Sequence, residues 1–198
     1  MSFDLYIAGI DEIPNDDFTE TISEYRLKKA KNYKNEDDRK LSILSSLLLD
    51  KALKKHDLSE RDMKYTFNAY GKPYFANAED LHFSISHSGE YAMVVLSDKE
   101  IGCDIQQIKN INLSIADRFF TAEEKKYVKC TEDFFRIWTL KESFIKAIGK
   151  GLALPLNSFS IKGLDLDKPY CEYNRELYEF KEFDKMTGYC IAVCEVKR

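Results

Sequence analysis

The chain has 198 residues, 44% apolar and 32% charged, with a formal net charge of −4. That is length enough for one large domain or two small, intimately packed ones around a real core, and the composition of an ordinary globular protein rather than a disordered one. The charge balance argues against a general nucleic-acid or membrane-surface binder, which would be basic overall, while leaving room for a local basic patch. No run approaches the roughly 18 apolar residues of a membrane span. The N-terminus, with Asp4, Asp11 and Glu12 among its apolar residues, lacks the features of a signal peptide. The five cysteines are scattered without a CxxC pattern, and three histidines are too few to complete a zinc site. Cys103, Cys190 and Cys194 lie in apolar runs, so a reduced, cytoplasmic protein is the simplest expectation.

Phe3 to Ile10 reads as a first strand. Phe18 to Asn35 is polar and helical in composition, with Arg26, Lys28, Lys29, Lys31 and Lys34 in its second half, a run that ordinarily forms a solvated helix face. Acidic Glu36, Asp37 and Asp38 then lead into a helix in which Leu41, Leu44 and Leu48 take core-facing spacing. Tyr70-Gly71-Lys72-Pro73 signals a turn. Phe83 to Ser86 and Tyr91 to Leu96 read as strands of a hairpin turned through His87-Ser88-Gly89-Glu90. Glu100 to Ile105 is a further strand, followed by helical segments near Leu113 to Phe120 and Ala122 to Lys129. A long helix from about Asp133 to Ile148 closes at Gly149. Phe159 to Lys162, Tyr170 to Tyr173 and Tyr189 to Val196 complete the strands. Each half supplies several strands and one long apolar helix. No linker separates the halves, so close packing is expected with a boundary near Lys99.

Asp104 and Gln106, two apart on a predicted strand, project from one face while Ile105 points into the core. Gly102 admits close approach of another backbone or a ligand. On the long helix Ile137, Leu140, Phe144 and Ile148 form an apolar stripe, and Glu142 and Lys146 sit one turn apart on a different face. A strand acid and a helix acid brought together suit a hard cation such as Mg²⁺, and a lysine beside that ion points to a phosphate ester as cargo. Each feature also has a structural reading. An acid at a strand end is ordinary, and Glu followed by Lys four residues on is a common exposed helix pair. Trp138, one turn before Glu142, adds apolar cover on that side. His87, in a Ser-His-Ser-Gly turn, and Lys72, in Gly-Lys-Pro, are candidates to receive an anion.

In chain order, Tyr70-Gly71-Lys72-Pro73, Phe83-Ser84-Ile85-Ser86-His87-Ser88-Gly89, Ile101-Gly102-Cys103-Asp104 and Trp138-Thr139-Leu140-Lys141-Glu142-Ser143-Phe144-Ile145-Lys146 resemble the 4′-phosphopantetheinyl transferases. The resemblance is to the two-lobed, surfactin-synthetase-activating type, whose blocks have the form (V/I)G(V/I)D and (F/W)(S/C/T)xKE(S/A)xxK. The second block matches at every fixed position, and the first departs at Cys103. The likeness extends to Glu36-Asp37-Asp38-Arg39, Arg118-Phe119-Phe120 and Gly149-Lys150-Gly151-Leu152, nearly the whole chain.

This resemblance implies an α+β fold of two similar α/β lobes with pseudo-two-fold symmetry, residues 1–99 and 100–198, each an antiparallel sheet packed with a long helix and with the site between them. It implies transfer of the phosphopantetheine arm of coenzyme A to a serine of an apo acyl or peptidyl carrier protein, releasing adenosine 3′,5′-bisphosphate. Asp104, Gln106 and Glu142 would hold Mg²⁺, with Mn²⁺ an alternative. Glu142 would take the serine proton, and Lys146 would stabilise charge on the pyrophosphate. Lys28, Arg39, Lys72, Ser86, His87 and Lys146 would hold coenzyme A. Two departures stand out. Gln106 occupies a position where many members carry a second acid, and Tyr25 one where a relative uses lysine, with Arg26 or Lys28 as neighbouring substitutes. A two-lobed chain can build its site alone, which favours a monomer. A binding-only relative and a metal-dependent phosphohydrolase are the alternatives. Retention of Asp104, Glu142 and Lys146 together argues against the first, and the Gly-Lys-Pro and Ser-His-Ser-Gly segments against the second.

Overall fold

The computed structural model describes residues 2–14, 17–166 and 168–197. The first strand, β1 (Asp4–Gly9), leads to α1 (Glu24–Lys31), shorter than the polar stretch suggests because Ser23 caps it, its Oγ accepting the Arg26 N–H at 3.4 Å. Helix α2 (Glu36–Leu53) follows at once. Asn35 Oδ1 accepts the N–H groups of Asp37 and Asp38, and Leu41, Leu44 and Leu48 are buried. Two short strands not anticipated from the sequence, β2 (Tyr65–Phe67) and β3 (Pro73–Phe75), pair across the expected turn, where Gly71 takes φ +85°.

β4 (His82–Ser88) and β5 (Tyr91–Ser97) form the expected hairpin, but its turn is only Gly89-Glu90, with Gly89 at φ +58°. A tight turn with positive φ suits the twist of paired strands. His87 and Ser88 are therefore strand residues, not turn residues. β6 (Ile101–Gln107), the short helices α3 (Ala116–Phe119) and α4 (Ala122–Lys125), and the long α5 (Thr131–Ala147) come next. Then β7 (Tyr170–Tyr173), β8 (Glu176–Glu182) and β9 (Tyr189–Lys197) complete the chain. Phe159 to Lys162 is not a strand. Its Ile161 N–H donates to Glu124 and its Phe159 carbonyl accepts from Lys141 Nζ, so buried side chains take the groups a ladder would use, leaving one bridge from Lys162 to Tyr170.

Among the described residues, β1, β5 and β4 form one sheet in that order, β6, β9, β8 and β7 a second, and β2–β3 a small third, with every pairing antiparallel. The fold is mixed α and β. Side-chain alternation explains its layering. On β5, Ala92, Val94 and Leu96 join the core beneath α2, while Met93 and Val95 face the other way and meet Ile101, Cys103 and Ile105 of β6 and Ile191 and Val193 of β9. On β6 the alternate residues Gly102, Asp104 and Gln106 belong to the opposite face, toward α5. A Cβ at Gly102 would lie 2.0 Å from the Ser143 carbonyl oxygen and 2.3 Å from the Ala147 nitrogen. The glycine is thus what lets β6 press against α5.

Candidate active site

The approach of β6 to α5 brings the strand acid to the helix lysine. Lys146 Nζ donates to Asp104 Oδ1 at 2.6 Å and to Ser86 Oγ at 2.9 Å, and Ser86 Oγ donates to the same Asp104 oxygen at 2.7 Å. Gln106 Nε2 donates to Asp104 Oδ2 at 2.9 Å. Asp104 is 1% exposed, so both its oxygens are held by protein donors, as a buried carboxylate requires. Burial pulls the Lys146 pKa down, but Asp104, Cys103 and Glu142 outweigh it and leave the ammonium above the usual lysine value. One turn back on α5, Glu142 is half-buried, and no hydrogen bond or ion pair to a described residue holds its carboxylate. Burial raises its pKa, the charge of Asp104 raises it further, and Lys146 only partly opposes them.

A cavity of about 300 Å³ opens beside this cluster. Its walls come from α1 (Arg26, Lys29), the following Tyr33, the β2–β3 turn, β4 (Ser84, His87), and the end of α5 with Lys146 and Gly149. Ser42 and Ser45 of α2 complete it, and Arg26, 3% exposed, is fixed by its Nε donating to Ser46 Oγ at 3.0 Å. Arg26, Lys29 and Lys146 make the enclosure positive. Burial lowers the His87 pKa first, and Lys146, Lys29 and Arg26 add to it against Asp38. A pocket that crowds cations around a neutral imidazole is built to receive an anion.

The sequence candidates divide here. Asp104, Ser86, Gln106 and Lys146 form one hydrogen-bonded cluster with Glu142 close by, and His87 joins the cavity wall. Lys72 also lines the cavity, but its ammonium is committed to Glu100 at 2.6 Å, to the Ala147 carbonyl at 2.9 Å and to the Ile101 carbonyl at 3.4 Å. Burial lowers its pKa, with Glu100 opposing. Together with Asn68 Nδ2, which donates to the Gly149 carbonyl at 2.7 Å, it caps the C-terminus of α5. Lys28 is exposed on α1, and Arg39 is exposed with its Nη2 on the Tyr33 carbonyl; neither is among the cavity residues. Arg26 and Lys29 stand there instead. The signal available for them is the i, i+3, i+7 spacing of Arg26, Lys29 and Tyr33.

A family model described as the 4′-phosphopantetheinyl transferase superfamily matches residues 100–194, and one for the N-terminal part of a 4′-phosphopantetheinyl transferase matches residues 16–100. The chain is 33% identical over 192 residues to the 4′-phosphopantetheinyl transferase Sfp of Bacillus subtilis (strain 168), covering 91% of this chain and 84% of that one. The chain belongs to the 4′-phosphopantetheinyl transferase superfamily. The 4′-phosphopantetheinyl transferase gsp of Aneurinibacillus migulanus is likewise 33% identical over 183 residues, 88% of this chain and 76% of its own. A crystal structure of the Thermotoga maritima holo-[acyl-carrier-protein] synthase overlaps 50% of this chain and 63% of its own, at 18% identity and TM-score 0.42.

For this member of the superfamily, the donor set bears on the metal that the family resemblance implies. Among the described residues no group of three or more histidine, cysteine, aspartate or glutamate side chains is arranged to hold a metal ion. The available donors are the carboxylates of Asp104 and Glu142, close enough for one to raise the other's pKa, and the amide oxygen of Gln106. All are hard oxygen donors, and a cation would relieve the mutual repulsion of the two acids. The set fits a hard divalent ion, with one charge fewer than a three-acid site.

Proposed function

We propose that this chain transfers the 4′-phosphopantetheine arm of coenzyme A to a serine hydroxyl of an apo acyl or peptidyl carrier protein, with Mg²⁺ as the metal and Mn²⁺ an alternative. The observation that carries this reading is the position of Lys146, which lines the positive cavity and also bonds Asp104. One residue thereby links an anion pocket to a pair of acids. In this reading Arg26, Lys29 and His87 bind the phosphates of the nucleotide end, and Lys146 faces the pyrophosphate, stabilising charge as its bridge breaks. Mg²⁺ held by Asp104, Glu142 and Gln106 would neutralise charge on the pyrophosphate oxygens.

The serine oxygen bonds to the phosphorus that carries the pantetheine arm, and the bond from that phosphorus to the bridging oxygen breaks. Adenosine 3′,5′-bisphosphate departs with the bond pair. The serine proton passes to Glu142, whose pKa, raised by burial and by the charge of Asp104, makes its carboxylate a stronger base than an ordinary one. We place the two lobes at residues 1–99 and 100–198 and read the chain as a cytoplasmic monomer. In support, all five cysteines are free thiols, and among the described residues no helix is long and apolar enough to cross a membrane.

The test is Glu142→Gln, which keeps the shape of the side chain and removes the base. Release of adenosine 3′,5′-bisphosphate should fall by ~10²–10⁴-fold, the usual contribution of a general base, with the thermal midpoint near that of the wild type. Near-native turnover would remove Glu142 from this role. Free phosphate appearing in place of the bisphosphate would favour a phosphohydrolase.

A further inference from the structure

β4 and β6 are edge strands of different sheets, and an edge presents a row of backbone N–H groups that must find acceptors. Here side chains supply them. Ser84 Oγ accepts the Cys103 N–H at 3.0 Å, Ser86 Oγ the Ile105 N–H at 3.3 Å, and Ser88 Oγ the Gln107 N–H at 3.0 Å. Every rung joins residues 19 apart in the chain, so the two strands advance in step and in the same direction. The result imitates a parallel ladder with hydroxyls in place of carbonyls.

The middle rung is saturated. A hydroxyl has one hydrogen to donate and two lone pairs to accept with. Ser86 Oγ accepts from Ile105 N and Lys146 Nζ, which commits its hydrogen to Asp104 Oδ1. A slip of β6 along β4 would therefore disturb Asp104 and Lys146 together. The outer rungs bond neither residue, yet they fix the register in which Ser86 meets both.

We propose that Ser84 and Ser88 are positioning residues for the transfer reaction, acting through the β6 backbone on the Asp104–Ser86–Lys146 cluster. The inference rests on the transferase reading given above. Ser88 is the cleaner probe, because Ser84 also lines the cavity. The experiment compares wild type, Ser88→Ala and Ser88→Thr by steady-state kinetics and by residue-resolved amide exchange.

In Ser88→Ala the Gln107 amide should exchange about tenfold faster. Its kcat should fall roughly tenfold, less than the ~10²-fold that a full ångström of misplacement brings, while KM for coenzyme A stays within about twofold of wild type. Ser88→Thr, which keeps an Oγ, should recover both readouts. Faster exchange at Gln107 with wild-type kcat would overturn the positioning role, and unchanged exchange would remove the rung itself. A folded wild-type protein that transfers nothing would instead overturn the transferase reading, and the catalytic half of this inference with it.

Discussion

His87 is surrounded by Lys146, Lys29 and Arg26, and with burial they hold its pKa below the ordinary 6.5. A bound phosphate reverses the sign of that environment and favours the imidazolium. Binding adenosine 3′,5′-bisphosphate near pH 6.5 should therefore draw a proton onto His87, and less of one at higher pH, where the bound imidazole also loses it. Calorimetry in two buffers of different ionisation enthalpy measures the protons taken up. The wild type should take up more than His87→Asn, in which the phosphates' own titration is unchanged; equal uptake would take His87 out of the anion site. At this scale the sequence was informative where residues sit in a recognisable block. Asp104, Glu142 and Lys146 are recognisable from their blocks. Arg26 was legible only as one of two neighbouring substitutes at Tyr25 and Lys29 not at all, because a basic helix face is wet or buried according to what packs on it. Here that is decided by Ser42, Ser45 and Ser46, a helix away in α2. Lys72 lines the cavity as well, but its partners there, Glu100 and the Ala147 carbonyl, were not legible in the sequence.

Between elements, the site depends on how closely β6 and α5 approach. Gly102→Ala would place a methyl 2.0 Å from the Ser143 carbonyl oxygen, a backbone contact that a rotamer change cannot relieve. Such overpacking costs about 1–3 kcal/mol and pushes Asp104 away from Glu142 and Lys146. The variant should unfold at lower urea concentration and lose transfer activity in the fraction that remains folded. Wild-type stability with wild-type turnover would mean that strand and helix do not meet at this residue. The glycine's tolerance of a close neighbour was legible in the sequence; the identity of that neighbour was not. β8 escaped notice because Glu176, Glu179, Lys181 and Glu182 mask the alternation of Tyr178 and Phe180, which are its buried positions. Phe159 to Lys162 has strand composition, but the fully buried pair of Lys141 and Glu124 engages its backbone. Local propensity yields there to a tertiary contact.

For the molecule as a whole, each long helix covers one face of an antiparallel sheet, and the sheets meet through Met93 and Val95 against Ile101, Cys103, Ile105, Ile191 and Val193. The two long helices and most of the strands they pack on were readable from apolar periodicity. The joint was not, because serines at 84, 86 and 88 look like ordinary alternating polar positions until a second strand is laid beside them. That joint sets the anion cavity on one side of Lys146 and Asp104 on the other, and the proposed transfer depends on both. The most direct measurement is the intact mass of an apo acyl or peptidyl carrier protein after incubation with this protein, coenzyme A and Mg²⁺. The expected result is a gain of one phosphopantetheine arm on the carrier and none on a carrier whose acceptor serine is replaced by alanine. A carrier mass that stays unchanged with folded protein, intact coenzyme A and metal present would contradict the transferase assignment.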